Sequence, residues 1–283
     1  LSLLKWNNGN PQEGAVAYIT STYNTGYMLG DIRLSTNPPT VSTWTYYSNG
    51  DAVQDRSVKA NHLTTVGQVD IGAVATSAEL FAFSGFSASN FLSRSNDTDF
   101  DFGTGDFSVM LWVKDSNTNA VKDYVTRVGV SSSDATKAAG NWSLLKTNKT
   151  IELWRYSGSA WENQVEPAAD AFPTSQWTQV ILSKKGGNYQ IYLNGKKSVN
   201  QTSNSNSFTT TAGLFTIGMR VDANTQAADT ASISLVRLSA TAPTPTQVAD
   251  IYRQEAPLFR SGAKCLLSQV SFNDVNDLAY DNS

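Results

Sequence analysis

Val180-Ile181-Leu182-Ser183-Lys184-Lys185-Gly186-Gly187-Asn188-Tyr189-Gln190-Ile191-Tyr192-Leu193-Asn194-Gly195 is the stretch on which the fold turns. Asn194-Gly195 supplies the two positive-φ positions of a type I′ hairpin, and Lys185-Gly186-Gly187-Asn188 joins the two apolar runs before it. Together they predict a three-stranded meander. Upstream, Phe107-Ser108-Val109-Met110-Leu111-Trp112-Val113-Lys114 puts Phe107, Val109, Leu111 and Val113 on one face, with Met110 and Trp112 on the other. Bulky groups on both faces mark a central strand in a stack of two sheets. Further strands read from Trp142 to Leu145, Ile151 to Tyr156, Trp177 to Ser183, Leu214 to Gly218 and Ser232 to Leu238. One helix breaks this pattern. Thr244-Pro245-Thr246-Gln247 is a capping box with Pro at the first helical position, and Val248, Ile251 and Tyr252 share a face. Pro257 bars its continuation, and the helix is expected to close one end of the sandwich.

Composition narrows the function classes. With 283 residues and a formal charge of -3, the chain lacks the basic excess of a nucleic-acid binder. Lys184-Lys185 and Lys196-Lys197 are its densest basic spots, and both are expected to be solvated turns. Cys265 is the single cysteine, which excludes an intramolecular disulfide and a multi-thiolate zinc site. No apolar run approaches the roughly 20 residues that a membrane-spanning helix needs. A start at Leu1 without a leader pattern suggests a fragment of a longer polypeptide.

Three regions differ in texture. Residues 1–78 mix short strand-like pieces with turns, as an irregular β-rich segment. Residues 79–259 carry the regular pattern. Residues 260–283 resume short alternation and are expected to pair with the N-terminal region in a flanking unit.

The strings Phe83-Ser84-Gly85-Phe86-Ser87-Ala88-Ser89-Asn90-Phe91-Leu92 and Asp99-Phe100-Asp101-Phe102-Gly103-Thr104-Gly105-Asp106-Phe107-Ser108 resemble the opening of laminin-G-like jelly-roll domains. Trp177, Val180 and the hairpin from Tyr189 to Gly195 resemble their meander, and Ile233 to Leu238 with the helix from Thr244 resemble their close. The resemblance implies an all-β, concanavalin A-like (laminin-G-like) two-sheet jelly-roll sandwich with one short C-terminal helix, flanked by small irregular β segments. Tyr23 to Ile32, Asp55-Arg56-Ser57 and Leu238 to Thr244 are similar to segments of such domains in large virion proteins of bacteriophages, particularly marine ones. This implies a tail-fibre or appendage segment in the virion, or an extracellular protein. Its partners would be a host-surface glycan or protein, other virion chains and further copies of itself.

Chemistry-bearing constellations are sparse. Glycosidases on this sandwich need two carboxylates across the scissile bond. Glu152 has no acidic residue two or four positions away, and Glu162 and Glu166 stand near Pro167 in a loop-like stretch. His62 is the only histidine and lacks a nucleophile elbow. Non-catalytic binding is therefore expected, with a polysaccharide depolymerase and a structural spacer as rivals.

Calcium is the candidate ion. Asn96, Asp97, Asp99, Asp101 and Asp106 form one oxygen-rich set, and Asp222, Asn224 and Asp229 form another. The alternative is that these residues cap their own turns. Laminin-G-like domains often hold calcium with an Asp after the first strand, where this chain has Ser87-Ala88-Ser89. They often carry an acidic pair in the closing strand, where it has Ser234-Leu235. Trp154, Tyr156 and Trp161 are the candidate sugar contacts, because flat C–H faces stack on aromatic rings. Trp154 and Tyr156 share a strand face, where core packing is expected to take at least one of them, and Trp161 is expected to be exposed.

Overall fold

The computed structural model describes residues 61–263 except residue 79 and the segments 118–119, 132–135, 166–171 and 199–201. Two antiparallel sheets stack face to face. In spatial order the first holds β1 (Thr64–Val66), β4 (Phe91–Arg94), β14 (Phe215–Ile217), β6 (Lys122–Arg127), β7 (Trp142–Thr147), β8 (Thr150–Tyr156) and β9 (Trp161–Asn163). The second holds β12 (Lys196–Lys197), β11 (Asn188–Leu193), β10 (Thr178–Lys185), β5 (Phe107–Asp115), β15 (Ala231–Ser239), β3 (Phe81–Ser84) and β2 (Asp70–Ala73), with β13 (Thr202–Ser203) also pairing with β11. The first sheet has seven strands and the second eight. Strands β1 and β2 lie at the sheet edges, so the sandwich begins before residue 79. The readings for residues 1–60, Cys265 and the rest of the C-terminal segment lie outside the described residues.

The meander forms as its turns dictate. Asn194 and Gly195 have φ of 50° and 76°, and Gly186 and Gly187 have 56° and 80°, the positive values that tight two-residue hairpins require. Between the sheets, Phe107, Val109, Leu111 and Val113 of β5 join Val180 and Leu182 of β10. They meet Leu92, Val125, Leu144, Leu153, Phe215 and Ile217 from the other sheet. In β15 the register shifts between Ser234 and Arg237, and Leu235 takes a φ of 49°. This bulge turns Leu235 outward and lets both Ile233 and Val236 face the core, which strict alternation would not allow.

Helix α1 (Pro245–Glu255) has the expected capping box at Thr244 and Gln247. Its position differs from the expectation: it lies across the outer face of the eight-stranded sheet rather than closing an end. Val248 and Ile251 pack on Met110, Ile181 and Tyr192. Tyr252 and Phe259 pack on Trp112 and Leu235. The physical reason is the two-sided apolar pattern of β5, whose outward Met110 and Trp112 need a cover. Trp112 stacks on Phe259 with ring centroids 4.1 Å apart, and its Nε1 donates to Glu255 at 2.6 Å. Glu255 also accepts from Gln179 and Arg237. Gly195 belongs to this junction, since a Cβ there would come within 2.9 Å of Tyr252.

Lys184 is not a solvated turn residue. It is fully buried, donating to the carbonyls of Thr104 at 2.8 Å and Asn206 at 3.3 Å. Tyr189 and Phe208 lie beneath it, and burial pushes its pKa down. Lys185, Lys196 and Lys197 are exposed, as expected.

Candidate functional site

The outer face of the seven-stranded sheet is built differently. Ser93, Thr216, Thr126, Ser143, Trp154 and Asn163 are successive register partners across β4, β14, β6, β7, β8 and β9. Hydroxyls stand where the other sheet carries large apolar groups. The loop after β14 folds over this row, held by the Thr216 hydroxyl donating to the Met219 carbonyl and by Met219 packing near Phe91 and Leu214. That path sets Arg220 and Asp222 over the β6–β9 side of the sheet.

A cluster of charges and rings results. The Arg220 guanidinium lies over the Trp161 ring, 4.7 Å from its centroid. Its Nε is 2.8 Å from Asp222 Oδ1, and its Nη1 is 3.6 Å from Asp123 Oδ1. Lys137 Nζ reaches Asp222 Oδ2 at 3.5 Å and stands 5.8 Å from the Tyr156 ring centroid. Tyr156 and Trp161 face each other across β8 and β9 with centroids 5.6 Å apart and planes tilted by 59°. Such cation–ring contacts contribute about 0.5–2 kcal/mol each and hold the rings in place.

Asp123 lies beneath this cluster. It stands at a register shift in β6, accepts from the Ser143 hydroxyl at 2.5 Å, and is completely buried. Burial pushes its pKa up to about 6 despite the opposing pull of Arg220 and of the Ser143 bond. Its Oδ2 has no hydrogen-bond partner. Glu152 is spent on its surroundings: Trp154 Nε1 donates to it at 2.6 Å, Thr150 at 3.1 Å and Asn163 at 3.3 Å.

Trp154, Tyr156 and Trp161 therefore share one face, and all three are half-buried. The expectation that core packing would take Trp154 or Tyr156 is not met, since neither joins the inter-sheet core. Arg155 points the other way, donating to the Ser207 carbonyl and pairing with Glu162. Glu162 lies on β9 rather than in a loop, and Glu166 is outside the described residues.

The calcium candidates are engaged by other groups, and Asn96, Asp97 and Asp101 converge on Arg127. Asp101 pairs with the buried Arg127 at 2.5 Å. Asp97 caps the backbone of Asp99 and pairs with Arg94, while Asp99 accepts from Asn61. Asp106 accepts from the Gly186 N–H. Asp222 holds Arg220 and Lys137, and Asp229 holds Lys122 at 2.5 Å. Among the described residues no three His, Cys, Asp or Glu side chains are grouped to hold a metal. Most of these carboxylates are paired with side-chain cations.

Asp123, Lys137 and Arg220 are missing from the sequence reading of the site. The only available signal was charge inside a strand-length run, Lys122 to Arg127.

Two antiparallel sheets with a polar–aromatic outer face on one side and a helix-covered face on the other define a concanavalin A-like, laminin-G-like jelly roll. Residues 86–249 match the profile of the concanavalin A-like lectin/glucanases superfamily, and the chain belongs to it. No curated protein matches the sequence. Among solved structures, domain 4 of AbnA, an extracellular arabinanase from Geobacillus stearothermophilus solved in complex with arabinotriose, is 20% identical with a TM-score of 0.54, covering 71% of this chain and 92% of that one. The botulinum neurotoxin serotype D ligand binding domain, solved in complex with N-acetylneuraminic acid, is 14% identical with a TM-score of 0.55, covering 74% and 49%. The binding domain of Paraclostridial Mosquitocidal Protein 1 is 10% identical with a TM-score of 0.55, covering 81% and 51%. The matched region thus spans about half the length of the two toxin domains. At these identities the likeness is one of fold.

Proposed function

We propose that the chain is a non-catalytic glycan-binding module whose contact surface is the patch around Trp161 on the outer face of the seven-stranded sheet. The observation that carries this reading is the pairing of Tyr156 and Trp161 beside the Arg220–Asp222 pair, on a face that the helix leaves uncovered. Rings of this kind stack on sugar C–H faces, and charged groups beside them take hydroxyls. The folds that resemble it include an arabinanase domain solved with a trisaccharide and a toxin domain solved with a sialic acid. Catalysis is disfavoured because Glu152 and Asp222 are each held by neighbouring groups, and Asp123 is sealed below Arg220.

The module fits best in a tail-fibre or appendage of a bacteriophage virion, where many copies turn weak single contacts into firm adhesion. The test is a glycan and host-envelope array probed with the full chain and with Trp161→Ala, each with calcium and then with chelator. Binding that survives chelation and falls about tenfold or more in the variant supports the reading. Binding unchanged in Trp161→Ala removes the site. Binding lost on chelation returns the acidic loops to consideration, and silence across the array favours a structural virion module.

A further inference from the structure

We infer that this patch selects uncharged sugar rings and rejects carboxylated ones. The inference rests on the glycan-binding reading and sharpens it. Two cations border the rings, Lys137 and Arg220, and both are already opposed. Arg220 lies between Asp222 and Asp123 with its guanidinium over the Trp161 ring. Lys137 is held by Asp222. Arg155 lies on the opposite face, where Glu162 and the Ser207 carbonyl hold it. Counting Glu152, three carboxylates stand against these two cations. The side chains of Arg220 and Asp222 are only 11% and 4% exposed, so their mutual pair is also shielded from water.

A sugar carboxylate entering here finds no unpaired cation. It must displace Asp222 from its partners, or sit beside carboxylates of like charge, which partial burial makes costly. Neutral hydroxyls face no such cost. A hydroxyl donates to a carboxylate oxygen and accepts from a guanidinium or ammonium at the same time, so it inserts beside an ion pair without breaking it. The ring's C–H face meanwhile needs only Tyr156 or Trp161.

The experiment uses the full chain against two sets of immobilised oligosaccharides. One set is neutral, built of arabinose, glucose and galactose. The other ends in N-acetylneuraminic acid or hexuronic acids. The expected result is binding confined to neutral members, with acidic ones about tenfold or more weaker. Asp222→Asn removes the carboxylate shared by Arg220 and Lys137, and is expected to narrow or reverse that preference. Trp161→Phe, which keeps a ring, is expected to retain neutral binding, so any loss in Trp161→Ala reads as loss of stacking. Wild-type binding of acidic sugars as tight as neutral ones overturns the inference and leaves glycan binding standing. So does a preference that Asp222→Asn does not move. Failure to bind either set overturns both.

Discussion

On one outer face of the sandwich, Met110, Trp112, Ile181, Tyr192 and Leu235 meet the apolar stripe of α1 and Phe259. On the other, Ser93, Thr126, Ser143 and Thr216 lie in a row beneath a loop fixed by hydroxyl and carboxylate bonds. Both faces have the same sheet geometry and both share the inter-sheet core. What separates them is the residue type at outward positions. Apolar outward positions demand a cover and obtain a helix, leaving nothing for a ligand. Polar outward positions are covered by a polar loop instead of a helix, and the rings beside them remain half-exposed. The helix face should therefore govern stability, and the open face should govern binding.

Trp112→Ala is the strongest way to break that division. Trp112 is 2% exposed, stacks on Phe259 and Tyr252, and donates to Glu255. Its loss opens a large cavity and leaves a buried carboxylate short of a donor, for an expected cost of about 3–5 kcal/mol. The urea midpoint measures this, while glycan affinity of the remaining folded protein should stay at the wild-type value. A cost below about 1 kcal/mol would mean that the helix is not the seal described here.

The same contrast explains what could be read in advance. The meander was legible because Asn194-Gly195 and Gly186-Gly187 are local turn chemistry, and α1 because its capping box spans four adjacent residues. The helix's seat was not, although β5 advertised it: amphipathicity names a buried face but not its partner. Strand β6 was passed over because Lys122, Asp123 and Arg127 look like surface residues, yet all three are buried against long-range partners. Lys184 misled for the same reason. In the site, the rings announced themselves through strand alternation. Arg220 and Lys137 did not, because the loop that brings Arg220 to Trp161 lies some sixty residues downstream.

Two buried aspartates, one on each sheet, sharpen the comparison further. Asp115 ends β5 on the helix-covered sheet. Burial tends to raise its pKa, but bonds from Lys146, the Asn117 N–H, Tyr124 and Thr230 outweigh it and hold the carboxyl below its usual value. Its contribution to stability is thus present above about pH 4 and lost as the pH falls through its lowered folded pKa. Lys146 is only 1% exposed and lies 2.7 Å from it. Asp115→Asn leaves that ammonium bonded to the Asn117 carbonyl but without a counter-charge, and is expected to cost about 3 kcal/mol at pH 7, read by urea unfolding. An effect under about 1 kcal/mol would show that the Asn117 carbonyl and water suffice for Lys146.

Asp123 on the open sheet has the opposite sign and a smaller expected effect. Its folded pKa of about 6 lies above the ordinary 3.8 because burial outweighs Arg220 and Ser143. Between those two values the folded state binds the proton more tightly than the unfolded chain. The stability this supplies is complete below pH 3.8 and disappears as the pH rises through 6. At neutral pH the ionised carboxylate is therefore a burden that the fold tolerates, with one oxygen unpartnered. Asp123→Asn cannot ionise, so relative to wild type it should gain up to about 2 kcal/mol on moving from pH 4 to pH 7.5. Paired urea titrations at the two pH values cancel every other titrating group, Asp115 included. If wild type and variant instead run parallel, Arg220 and Asp222 already neutralise the site, and the open face bears no such strain. If the gain appears while glycan affinity falls, the carboxylate is kept for holding Arg220 over Trp161. The polar face would then sacrifice stability for binding, as the helix-covered face does not.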